Sequence, residues 1–153
     1  MTVYRIGDCN FIKDLSGKGA ALYGARWNSK NTYMLYTAQS ASLALLEAVV
    51  HIGKLPTNRY CMATISLPEA AILKVKPEEL PKNWYENPAP DLLKKIGDDF
   101  VKKGKYLAMS VPSVLMDIEY NYLINPSHPL FGEVKIAEIL ALRLDERVLK
   151  TTS

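Results

Sequence analysis

A lone carboxylate stands in the middle of an apolar run. Residues 39–52, QSASLALLEAVVHI, carry a single acid, Glu47, and one further ionisable group, His51, a helical turn later. Ser40 or Ser42 can cap the start of a helix there, and Leu43, Leu46 and Val50 fall at i, i+3, i+7 spacing. Glu47 then has Leu43, Ala44, Val50 and His51 as its neighbours three and four residues away. An unpaired carboxylate in such company is costly, so either Glu47 lies in water at the edge of the stripe or something positive and specific meets it. His51 can supply a local hydrogen bond that fixes its rotamer.

The segment GARWN, residues 24–28, offers complementary chemistry. Arg26 in a glycine-led turn can grip phosphate oxygens bidentately, with the Trp27 indole as an apolar wall and Asn28 in the same turn. A surface arginine packed on a tryptophan is the plainer reading of that turn alone. Tyr23, Tyr33 and Tyr36 add aromatic surface; Tyr33 and Leu35 face one side of a strand and Met34 and Tyr36 the other, so at least one tyrosine points inward. Together these residues suggest one pocket: Arg26 for anions, Trp27, Tyr33 and Tyr36 for a flat heterocycle, and Glu47 as a single carboxylate in low dielectric.

Other chemistries lack their parts. GKGAALYG is not GxGxxG, and neither a strand feeding it nor a helix opening from it is expected, which argues for a mobile loop rather than a dinucleotide cradle. His51 and His128 are far apart with no CxxC or HxxxH spacing, so no metal is expected. GxSxG is absent. Cys9 and Cys61 are too few for a disulfide framework and are expected to be free thiols. A net charge of +3 with dispersed basic residues falls short of a nucleic-acid footprint. No apolar run is long enough for a membrane span and the start has no signal-peptide pattern, so the expected compartment is the cytoplasm.

The elements that must position these groups follow from periodicity and punctuation. The 153 residues make one domain, 1–153, with 48% hydrophobic residues. Short strands are expected over residues 3–6, 33–37, 59–67, 71–75, 106–111, 119–124 and 139–144, with a loop over 8–24. A Pro-rich connection over 77–90 leads to an amphipathic helix, 91–103, burying Leu92, Leu93, Ile96 and Phe100 and leaving Lys94, Lys95, Lys102 and Lys103 solvated. Without a βαβ rhythm the class is α+β, a mixed, mostly antiparallel sheet with flanking helices.

Taken in order, VYRI, GARWN, YTAQSASLALLE and LAMSVPSVLMDIEYNYLINPSHPLF resemble the RES domain, the toxin half of RES–Xre toxin–antitoxin pairs, over residues 4–131. The family is named for an Arg, a Glu and a Ser; its motif places them at Arg26, Glu47 and Ser113, with Ser110 a rival for the last. The resemblance implies an ADP-ribosyltransferase-like fold, NAD as substrate, and a cognate Xre-type antitoxin as partner. It also implies that NAD is either degraded or used to transfer ADP-ribose to a protein acceptor. Such chemistry suits one carboxylate: nicotinamide leaves neutral and needs no general acid, while positive charge building on the ribose can be met by Glu47. Arg26 would hold the pyrophosphate, Tyr36 with Trp27 or Tyr33 would flank a ring, and Ser113 would orient the nicotinamide-side ribose. The competing class is a non-catalytic module sensing a nucleotide or a partner protein, which would gain nothing from an acid close to bound phosphates.

Overall fold

The computed structural model describes residues 1–52 and 59–150. Its centre is a seven-stranded sheet in the order β4-β5-β6-β2-β1-β3-β7. The strands are β1 (Thr2–Asp8), β2 (Leu35–Ala38), β3 (Tyr60–Ser66), β4 (Ile72–Lys74), β5 (Ala108–Pro112), β6 (Tyr120–Ile124) and β7 (Lys135–Ala141). The helices are α1 (Lys18–Tyr23), α2 (Ala41–Ile52), α3 (Asp91–Lys103) and α4 (Glu146–Lys150). Every neighbouring strand pair is antiparallel except β4 with β5, so the sheet is mixed and mostly antiparallel. That parallel pair is joined through α3, one βαβ crossover that the strand pattern alone did not announce.

Alternation along the strands sorts the side chains onto two faces. Met109 and Val111 of β5, Leu123 of β6 and the flanking Trp27 and Met34 pack with Leu93 and Phe100 of α3. On the same face, Ala38 of β2 with Tyr4 and Ile6 of β1 receives Leu43 and Ala44 of α2. The other face carries Val3, Leu35, Ala63, Ile65, Ala108 and Ile124, covered by Ile12 and by Val134 with Leu130 and Phe131. Two covered faces explain why all five residues of β5 are buried.

Helix ends follow local chemistry. The Ser40 hydroxyl accepts the Leu43 N–H at 3.1 Å, capping α2, and α3 ends on Gly104 in the left-handed region after Lys102 and Lys103. A helix appears inside the expected 8–24 loop: α1 is a six-residue turn bracketed by Gly17 and Gly24, both at positive φ. The apolar stripe of α2 is rotated from expectation, since Leu43 and Ala44 are buried while Leu46 and Val50 are exposed. In α3, Gly97 replaces Leu92 on the buried side. The last strand begins at Lys135 rather than 139.

The cysteines are not free. Cys9 and Cys61 form a disulfide across a sequence separation of 52, with Cα atoms 4.9 Å apart. The reason is register: Gly7 pairs with Cys61, and the Cys9 N–H donates to the Arg59 carbonyl, so the two sulfurs meet where β1 leaves the sheet.

Candidate functional site

Glu47 does not sit in water at the edge of its helix. Its side chain is 19% exposed and points from α2 onto the sheet face that also carries Tyr36, Asn121 and Ser113. The Ser113 hydroxyl donates to Oε1 at 2.9 Å and the Asn121 side-chain amide donates to the same oxygen at 2.8 Å. Oε2 faces the His51 Nε2 at 3.3 Å, and His51 is 70% exposed. Burial opposes the charged form of Glu47, but donors from His51, Asn121 and Ser113, with the His51 charge, outweigh it and hold the carboxyl below its usual range. The buried carboxylate is therefore met by His51 from its own helix and by two neutral donors, Asn121 and Ser113, from outside it.

Ser113 follows directly on β5, where its N–H donates to the Glu119 carbonyl, and its hydroxyl accepts the Leu115 N–H at 3.1 Å while donating to Glu47. Its proton is thus directed at the carboxylate. Ser110 lies on the opposite face of the same strand, beside Tyr122. Asn121 was missed in the sequence. It reads as one residue of an alternating Tyr-Asn-Tyr strand, and only the pairing of β6 with β2 and β5 brings it under α2.

Arg26 is held from an unexpected quarter. One guanidinium nitrogen, Nη1, donates to the carbonyls of Trp84 and Glu86, each at 3.0 Å, so the Pro-rich 77–90 connection serves as its clamp. Burial lowers the Arg26 pKa, while the negative charge of Glu47 and the neighbouring Tyr36 raise it, which places Glu47 within electrostatic reach of the guanidinium. Among the described residues no carboxylate lies within ion-pair distance of Arg26.

Trp27 and Asn28 are framework rather than pocket wall. Trp27 is 3% exposed and packs with Met34, Leu93 and Phe100, so its ring offers no open face. The buried Asn28 amide donates to the carbonyls of Ala20, Ser29 and Thr32, and its oxygen accepts the Tyr36 hydroxyl at 2.7 Å. Tyr36 in turn accepts the Trp27 N–H at 3.1 Å, and burial pushes its phenol well above the ordinary range. These bonds fix the turn that presents Arg26. Gly97 of α3 completes it, because a Cβ there would overlap the Trp27 carbonyl oxygen. Tyr33 is 47% exposed and Tyr23 is exposed, neither joined to this network by a hydrogen bond.

Arg26, Tyr36, Glu47, His51, Ser113 and Asn121 therefore form one constellation. It can bind an anion at the guanidinium and stabilise a developing cation at a carboxylate whose rotamer and ionisation are both set in advance. The Arg26 guanidinium is the permanent cation whose charge is coupled to that of Glu47. Among the described residues no group of three or more His, Cys, Asp or Glu is arranged to hold a metal ion, and no helix is long and apolar enough to cross a membrane.

The comparison with known proteins agrees in extent and architecture. A family model described as RES domain matches residues 2–145. A protein named Toxin Res from Yersinia enterocolitica is 36% identical over 133 residues, 86% of this chain and 88% of the relative. One from Sphingobium sp., named Prs ADP-ribosylating toxin, is 35% identical over 142 residues, 90% of this chain and 88% of the relative. A chain in the crystal structure of the M. tuberculosis MbcT–MbcA toxin–antitoxin complex superposes with a TM-score of 0.74 at 18% identity, covering 92% of this chain and 83% of that one. At that identity the likeness is one of fold.

Proposed function

The chain belongs to the RES domain family, and on that footing we propose that it is a toxin that breaks the nicotinamide–ribose bond of NAD. The observation that carries this reading is the anchoring of Glu47 by Ser113 and Asn121 on the face where Arg26 is clamped. With NAD present, Arg26 binds the pyrophosphate, whose charge its forked donors match. Nicotinamide leaves as a neutral molecule, so no acid has to protonate it, and Glu47 Oε2 faces the positive charge that builds on the ribose carbon. Because the carboxylate is already ionised and immobilised, it stabilises that charge without reorganising as the bond breaks. Tyr36 sets the Arg26 turn. A carboxylate whose charge is felt by an anion-binding arginine weakens a purely nucleotide-sensing module and favours turnover.

The acceptor decides the reaction class. Water or phosphate taking the ribosyl carbon depletes NAD; a protein side chain taking it makes an ADP-ribosyltransferase, and the Sphingobium relative's name favours the latter as the second reading. A toxin acting on NAD works in the cytoplasm and needs restraint, so a cognate antitoxin is part of the proposal, of Xre type by resemblance, and the MbcT–MbcA complex supports a partner of that kind. The test is purified protein incubated with NAD in water, with phosphate, and with cell extract, followed by chromatography for nicotinamide and by detection of ADP-ribosylated protein. Nicotinamide with free ADP-ribose or its phosphate supports depletion, and labelled protein supports transfer. No nicotinamide under any of the three conditions refutes NAD cleavage.

A further inference from the structure

The helix that carries Glu47 does not by itself aim the carboxylate. Among the described residues, both hydrogen bonds reaching it from outside α2 end on the same atom, Oε1, at 2.9 Å from Ser113 and 2.8 Å from Asn121. Asn121 is the more rigidly founded of the two. It lies inside β6, with Val111 of β5 opposite on one flank and Ala38 of β2 opposite on the other. Ala38 is also where Leu43 and Ala44 of α2 pack, so the small side chain that lets the helix settle stands next to the amide that catches its acid. Oε2 meets the exposed His51, a partner that an incoming ligand can displace without disturbing the core.

We propose that Asn121 is a positioning residue for Glu47: its amide, together with the Ser113 hydroxyl, anchors Oε1 and thereby assigns Oε2 to face the ribose. The proposal rests on the NAD-cleavage reading for the identity of what Oε2 faces, but the anchoring itself does not. The titratable groups around the carboxylate are His51 on its own helix and Arg26 from the turn before β2, with Tyr36 of β2 acting on Arg26. Removing the Asn121 amide leaves all of these in place and subtracts one neutral donor that favours the ionised form. Two consequences follow: the carboxyl becomes easier to protonate, and it gains freedom to swing its oxygens.

Asn121→Ala and the near-isosteric Asn121→Leu test this in the full chain. A hydrogen bond to a charged group sets the scale, so kcat for nicotinamide release is expected to fall by about ten- to a hundredfold with KM changed by less than about twofold. The acid limb of the kcat/KM profile should move to higher pH. Carbon-13 NMR of the Glu47 carboxyl should show its titration displaced upward in both variants. In the wild-type protein the Asn121 side-chain amide protons should titrate together with that carboxyl, a measurement that needs no variant to fold. An unmoved carboxyl titration in the variants, or amide protons that stay flat across it in the wild type, overturns the assignment. If the wild type itself releases no nicotinamide, the NAD reading fails while the NMR titrations still decide whether Asn121 sets Glu47.

Discussion

Replacing Glu47 by Gln isolates charge from shape. The carbonyl oxygen of the substituted glutamine can accept from both Ser113 and Asn121, the two bonds that now end on Oε1. The side chain should therefore keep its place, and its amide group should occupy the position of Oε2 beside His51. What disappears is the negative charge facing the ribose, and a preorganised electrostatic group of this kind is worth about a hundred- to a thousandfold in kcat, or ~2.7–4 kcal/mol. NAD affinity should change little, since the pyrophosphate contact belongs to Arg26 and its charge is the same before and during bond breaking. The substitution also leaves a stability signature. A carboxyl held below its usual range stabilises the folded state above the unfolded-state pKa, and that contribution disappears as pH falls through the folded value. Wild type should therefore exceed the variant in melting temperature at neutral pH, with the gap closing in acid. Chromatographic assay of nicotinamide, calorimetry of NAD binding and melts at the two pH extremes measure all three quantities. Turnover within a few-fold of wild type, with NAD still bound, would refute the catalytic role given to Glu47.

Arg26→Ala should mainly raise KM for NAD with a smaller effect on kcat, as removal of a uniform binding contact does, and steady-state kinetics separates the two. Gly97→Ala should destabilise by at least about 1–3 kcal/mol, because its methyl meets the backbone carbonyl of Trp27, and a denaturant melt reads the loss directly. Reduction of Cys9–Cys61, or Cys61→Ser, should cost about 4 kcal/mol on the chain-entropy argument for a loop with a sequence separation of 52; equal melting with and without dithiothreitol would show the bridge to be unformed in solution.

The sequence was most informative where a residue contradicted its own surroundings. Glu47 stood out because a carboxylate is costly in an apolar helix, and Arg26 because a guanidinium preceded a strand rich in aromatics. The sheet order was not legible, and what depended on it was lost. Asn121 and the carbonyls of Trp84 and Glu86 join the site only through β6 pairing with β2 and β5 and through the crossover into α3. The same blindness explains the cysteines: nothing in a separation of 52 predicts that β1 and β3 run side by side. Trp27 and Asn28 were placed in the pocket because residue type does not say which way a turn faces, and α3 packed through Gly97 turns the indole inward. The α2 stripe failed for a related reason. An apolar residue at helical spacing is read as buried, whereas Leu46 and Val50 lie away from the sheet and stay exposed.

The clamp on Arg26 is made of main-chain oxygens, and this shapes how the gene can drift. Glu86 contributes its carbonyl, so exchanging its carboxylate for another side chain leaves the hold intact, whereas inserting or deleting a single residue between Trp84 and Glu86 breaks the spacing of the two oxygens at the guanidinium. Selection on this stretch should act on its length more than on its letters. Among descendants of this chain, spacing here would stay fixed while the letters that only lend a carbonyl, such as Glu86, wandered, and a loss of function at such a position would be found as a missing or added residue rather than by point substitution.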